Sequence, residues 1–284
     1  MDIERVIANL PIYAAGGKPS QDTLRAYKRT GMYFINWLSQ HGRNPDAPTE
    51  QDAAEYVAEL YAANMKRDGV NQRIAGGRAF YRVASKIGEY TGDNPFEKIH
   101  GRISNPEDAT TEFFTPDELK EIYTKCETDR ERAIFLLMAI EGLRTIEVVR
   151  MQIKDYDRKN QRIRVHGKGD HDAWIYPSEL TQDTLSNYIG TRVFGNVFVN
   201  DIDGSPLTRE GVKYIVNRML RRAGLKKRGA SCHALRHSCG TNLYAVTKDL
   251  RLVQETLRHH SPQVTARYTH ITNRRNVTNA LTEG

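Results

Sequence analysis

Two arginines are placed to serve a phosphodiester: Arg144, in EGLRTIEVVR, and Arg236, in HALRH. Such chemistry needs positive donors for the two non-bridging oxygens, a nucleophile in line and a proton source for the leaving oxygen. A guanidinium suits the first task, because it is permanently charged and its planar fork grips phosphate through two N–H groups. His233 and His237 stand one helical turn apart, a spacing that zinc ligands use. The Glu of HExxH is absent and Cys232 lies off that face, so no metal and no cofactor are expected. Cys126, Cys232 and Cys239 form no CxxC pair, the pattern of reduced thiols in a cytoplasmic protein.

The charge around these residues points to a polyanion. Formal net charge is +7, and between Arg209 and Arg236 there are nine basic residues and one acid, Glu210. Residues 1–105 are nearly balanced, with 14 basic and 12 acidic residues. Nucleic acid is the first candidate partner and a membrane surface the second, with a solvated basic face as the plain alternative. Two basic stripes at one-turn spacing, Arg25, Lys28 and Arg29, then Arg78, Arg82 and Lys86, read either as DNA-backbone contacts or as ordinary surface.

A chain of 284 residues with 39% hydrophobic residues is long enough for two domains with their own cores. No apolar run is long enough to cross a bilayer, and the start, MDIERVIANLPIY, lacks the layout of a secretory signal. Ser20 caps a predicted helix with Leu24, Tyr27, Phe34, Ile35 and Leu38 inward, ended by Gly42. A second helix is predicted from Thr49 to Asp68-Gly69, and a third from Asn71 to Tyr90. Residues 100–113 lose helical periodicity and carry Gly, Pro and Ser, marking a linker. Thr115-Pro116-Asp117-Glu118 then opens a new domain with a cap, a first-turn proline and an acid at the third position. RAIFLLMAI reads as a buried helix, and RIRVHGKGDHDAWIYP as two strands joined by a Gly-rich turn. Helices resume near Leu180, after Thr208, after Ser231 and over Leu250–Leu257, with a last short one after Ser261-Pro262.

The blocks EGLRTIEVV, VHGKGD, HALRHSCGT and LRHHSPQVTARYTH, in this order, closely resemble the catalytic domain of the tyrosine recombinases, also called the phage integrase family. Upstream, TLRAYKRTGMYFINWL and NQRIAGGRAFYRVASKIG through NPF resemble that family's helical core-binding domain. The resemblance spans about Ser20 to Ile271. It implies a mainly α fold: a SAM-like helical domain at 20–101, a linker at 102–113, and an α-rich catalytic domain with a small antiparallel sheet at 114–271. Residues 1–19 are then an N-terminal extension, with no room for a separate arm-binding module, and 272–284 a tail.

Matched position by position, the resemblance assigns the catalytic arginines to Arg144 and Arg236, with Glu147 as acidic support. It assigns the hairpin lysine to Lys168, the histidines to His233 and His259, and the nucleophile to Tyr268. The glycine usual before the later histidine is Arg258 here, and His260 follows as a residue that could share the role of His259. The implied reaction is attack of Tyr268 on the scissile phosphate to give a 3′-phosphotyrosine and a free 5′-hydroxyl, which conserves the ester and needs neither ATP nor metal. In that scheme His233 accepts the phenolic proton, Lys168 protonates the leaving oxygen and Glu147 orients an arginine or histidine. Lys159 or Lys154 are the alternatives to Lys168.

The implied partner is double-stranded DNA with paired recognition sites, held by a tetramer of a simple two-domain, Xer-like type in the cytoplasm at the nucleoid. Arg221, Arg222, Lys226, Lys227 and Arg228 would face the duplex together with the two stripes. Val277, Ala280 and Leu281 form an apolar stripe that docks either on a neighbouring subunit or on its own domain. A type IB topoisomerase, a telomere-resolving enzyme and a non-catalytic DNA-binding regulator are the other classes open to the same residues.

Overall fold

Residues 1–105 and 106–284 form two separate units, and the computed structural model describes residues 1–17, 19–102, 112–166, 172–227 and 229–258. The described part is mainly helical with one small antiparallel sheet, the architecture expected from the sequence.

In the first unit, α1 (Ile3–Tyr13), α2 (Gln21–Gln40), α3 (Glu50–Ala62) and α4 (Arg67–Lys86) surround an aromatic core. Ser20 caps α2 through its hydroxyl, which accepts from the Thr23 amide, and Thr49 and Asp52 form a reciprocal capping box on α3. Phe34 packs on Tyr56, Tyr81 and Phe96 with tilted or edge-on rings. A Cβ at Gly31 would lie 2.4 Å from the Phe80 ring, so the absent side chain is what lets α2 and α4 approach closely.

Three boundaries differ from expectation. The first 19 residues hold a helix, α1, whose Val6 and Leu10 are fully buried in this core. The second helix stops at Ala62, where the chain turns through the left-handed Asn64 (φ 57°). Arg67-Asp68-Gly69, expected to end a helix, instead forms the first turn of α4, which ends at Lys86 before the left-handed Gly88.

The second unit runs α5 (Pro116–Thr124), α6 (Asp129–Ala139), α7 (Thr145–Arg150), β1 (Tyr156–Asp157), β2 (Arg162–His166), β3 (Asp172–Ile175), α8 (Glu179–Ile189), α9 (Arg209–Arg222), α10 (Cys232–Thr247) and α11 (Leu250–Thr256). The Thr115–Glu118 capping box with Pro116 in the first turn starts it as predicted. Helix α6 is buried on all sides over Ala133–Ala139, packed by α8, α9 and α10. The sheet has the order β1-β2-β3, all antiparallel, with Ile163 opposite Ile175 and His166 opposite Asp172. Strand β1, only two residues long, was not foreseen. The predicted helix after Ser261-Pro262 lies outside the described residues.

Candidate active site

The loop from α6 to α7 turns at Gly142, whose φ of 64° favours glycine and whose added Cβ would lie 2.6 Å from Leu257. Two residues later Arg144 takes the N-cap position of α7, in extended backbone. One turn into that helix, Glu147 faces back: Oε2 accepts from the Arg144 amide and Oε1 from the Arg144 guanidinium, both at 2.7 Å. Arg236 comes from the second turn of α10 and donates to the carbonyls of Gly142 and Leu257. Its Nη1 lies 3.9 Å from Glu147 Oε2. Arg258, just beyond α11, donates to the same Oε2 at 3.1 Å.

One carboxylate thus gathers three arginines from three segments. Glu147 is 2% exposed and Arg236 7%, whereas Arg144 is 35% exposed and is the one that reaches outward. Burial alone would raise the Glu147 carboxyl, but the Arg258 charge and the two Arg144 hydrogen bonds outweigh it and hold the group below the usual carboxylate range. It is therefore ionised at neutral pH and fixes the arginines without consuming all their charge.

His233 is exposed in the first turn of α10, one turn ahead of Arg236 and on the same face. The positive end of that 16-residue helix favours an anion beside it. Among the described residues, no group of three or more His, Cys, Asp or Glu is arranged to hold a metal ion. Lys168, His259, His260 and Tyr268 lie outside the described residues, as does Arg228.

The strands on either side of Lys168 are described, and they are tied by His166 at the end nearest to it. Its Nδ1 lies 2.8 Å from Asp172 Oδ1, across the strand pair, and its Nε2 3.1 Å from the buried Asp155 Oδ1. The bond to Asp172, and then the bond and charge of Asp155 acting against burial, raise the His166 pKa. This residue escaped the sequence reading, although its place at the end of the Ile163/Val165 alternation was a signal that it leaves the core face. A histidine with a raised folded pKa stabilises most below its unfolded value, about 6.5, and the contribution is lost as pH rises through the folded value. Thermal melts of wild type and His166→Gln should therefore differ most below the unfolded value of about 6.5 and converge as pH rises above the raised folded value. An equal gap at every pH would remove the charged tie.

The candidate DNA contacts fall into two groups. Arg25, Lys28, Arg29, Arg82, Lys86, Arg221 and Lys227 are exposed. Arg78 instead donates to the carbonyls of Phe96 and Ile99 at 3.1 and 2.7 Å, bracing the chain after α4. Arg222 pairs with Glu127 and Glu131, and Lys226 donates to the Ala230 carbonyl.

The model of the phage integrase family matches residues 112–275, and that of the family's N-terminal SAM-like domain matches residues 15–88. The chain belongs to the phage integrase family. It is 30% identical over 268 residues to a tyrosine recombinase XerC of Staphylococcus haemolyticus, covering 89% of this chain and 88% of that protein. Among solved structures, the fold is similar to XerH site-specific recombinase bound to its palindromic difH substrate, with a TM-score of 0.70 at 22% identity over 98% of this chain and 83% of the other. It is also similar to a lambda integrase tetramer bound to a Holliday junction, with a TM-score of 0.70 at 18% identity, covering 94% of this chain and 75% of that one. Arg144, Glu147, His233 and Arg236 therefore belong to a family domain, and the family match extends through Tyr268.

Proposed function

We propose that this protein is a site-specific DNA recombinase that cuts and rejoins DNA through a 3′-phosphotyrosine on Tyr268. The observation that carries this reading is the meeting of Arg144 and Arg236 at Glu147, with His233 one turn from Arg236, inside a recombinase-family domain. Two guanidinium groups held by a buried carboxylate are preorganised, so no reorganisation is required when charge develops on a phosphorane. A phenol has a pKa of about 10, and His233, exposed beside the arginines, is assigned as its proton acceptor. Lys168 is assigned to protonate the 5′ leaving oxygen from a turn whose stem His166 ties, and His259 to add a hydrogen bond to the phosphorane. Because one phosphoester replaces another, rejoining needs no ATP.

The partner is double-stranded DNA. The exposed Arg25, Lys28 and Arg29 on the first unit and Arg221 and Lys227 on the second support backbone contacts. Arg82 and Lys86 extend the first set, while Arg78 and Arg222 contribute through the surfaces they brace. The likeness to a XerC tyrosine recombinase and, in fold, to a lambda integrase tetramer on a Holliday junction supports paired recognition sites and a tetramer on two duplexes.

A covalent-trapping assay tests the reading. Wild type and Tyr268→Phe are incubated, with EDTA present, with nicked DNA taken from beside the gene, and SDS-resistant adducts are scored. Wild type should give an adduct and Tyr268→Phe none, with DNA binding retained. Tight binding without an adduct in either protein would favour a DNA-binding regulator, and relaxed or hairpin products from unpaired sites would favour a topoisomerase or resolvase.

A further inference from the structure

Arg258 has a φ of 52°, in the left-handed region where a side chain is disfavoured and glycine is the default. Its amide closes the end of α11 on the Glu255 carbonyl. From that backbone the side chain folds inward and is 14% exposed. It donates to the Thr256 carbonyl at 2.9 Å, the Gly142 carbonyl at 3.1 Å and Glu147 Oε2 at 3.1 Å. The Arg258 carbonyl in turn accepts from Arg144 Nη2 at 3.2 Å. The residue touches the site twice, once by backbone and once by guanidinium, and only the second depends on its being arginine.

We propose that Arg258 is a positioning residue for the two phosphate-binding arginines, acting through Glu147 and the Gly142 carbonyl. This deepens the recombinase reading and rests on it. Those two groups are also addressed by Arg236, which donates to the Gly142 carbonyl and stands 3.9 Å from Glu147 Oε2. By occupying that oxygen, Arg258 keeps Arg236 on its two carbonyls instead of drawing it onto the carboxylate. It also sets the charge of the site. Three guanidinium groups meet at Glu147, and a neutral residue at 258 would leave one positive charge fewer toward a phosphate. An arginine held in a backbone conformation that glycine would adopt more easily is strain located at a functional site.

The test compares wild type, Arg258→Gly and Arg258→Lys in single-turnover adduct formation, on DNA with an ordinary phosphate or a neutral methylphosphonate at the scissile position. Arg258→Gly relieves the backbone and keeps the carbonyl that holds Arg144, while taking one of three arginines from the buried Glu147, so a melt and a gel shift on each variant are read beside the rate, which is measured at saturating protein on the folded fraction. Adduct formation by Arg258→Gly should be slower by about 10–100-fold on the phosphate, as for loss of an orienting partner. Arg258→Lys should recover part of that rate, and the deficit should shrink on the methylphosphonate, which places less charge in the site. Wild-type rates in Arg258→Gly would overturn the proposal, as would the same deficit on both substrates, the mark of a packing role alone. Absence of an adduct in wild type would instead sink the recombinase reading itself.

Discussion

Arg236→Lys is expected to slow adduct formation by about 10²–10³-fold while DNA binding persists, the effect of removing one preorganised donor from a developing oxyanion. The reason is geometric. Arg236 reaches two carbonyls on different segments, Gly142 after α6 and Leu257 after α11, and it does so with the two ends of one planar fork. That fork is 7% exposed and lies 3.9 Å from Glu147, so its direction is fixed from three sides. Lysine keeps the charge but offers a single point on a flexible stem, and it cannot span both carbonyls. Gly142 keeps its bond from Arg258, but a Leu257 carbonyl that lysine fails to reach loses its donor, which costs about 1–3 kcal/mol of stability. Kinetics on a nicked substrate, with a melt and a gel shift on the same sample, separate the two effects. A rate within a few-fold of wild type would show that charge alone suffices at this position, and the fork would lose its assigned role.

Local signals were legible where one segment contains its own cause. The Ser20 and Thr115 caps, the apolar run that became α6 and the β2–β3 alternation each needed no distant partner. Helix α1 was missed because it is short and carries Pro11, so its two core anchors, Val6 and Leu10, did not stand out as a period. The α3–α4 junction was misplaced because Asp68-Gly69 has turn chemistry, while the real turn uses Asn64 and starts α4 from Lys66 without a side-chain cap. At the site, residue types could nominate Arg144 and Arg236, but a common carboxylate is a tertiary fact. The use of Arg258 depends on a left-handed backbone and a partner 111 residues away, neither of which has a local pattern. The same holds for charge. A basic stripe does not reveal that Arg78 is spent on two carbonyls, or that Arg222 already has two acids.

That last pairing sets the largest expected effect on stability. Glu131 in α6 has no exposed side-chain surface and receives Arg218 at 2.6 Å, Arg222, and the Glu127 amide at 2.8 Å. Breaking a buried pair by removing one partner is strongly destabilising, and Glu131→Gln should cost about 3 kcal/mol, the low end of that range. The low end applies because Arg218 is 41% exposed and Arg222 21%, so both can turn partly to water. For a unit of this size the melting temperature should fall by about 6–12 °C. Burial would raise the Glu131 carboxyl, but the Arg218 bond, the Glu127 amide and Arg222 bring it below its ordinary value of 4.5. A depressed folded pKa gives stability that is present above the unfolded value and lost as pH falls through the folded one, so the gap between the proteins should narrow in acid. DNA binding should move the other way. With the residue at 131 neutral, Arg218 loses the acid it pairs with and Arg222 keeps only Glu127, so affinity should rise or hold and its salt dependence steepen. If Glu131→Gln lost stability and DNA affinity together, with the salt slope unchanged, α9 would be serving DNA by its shape and not by its charge.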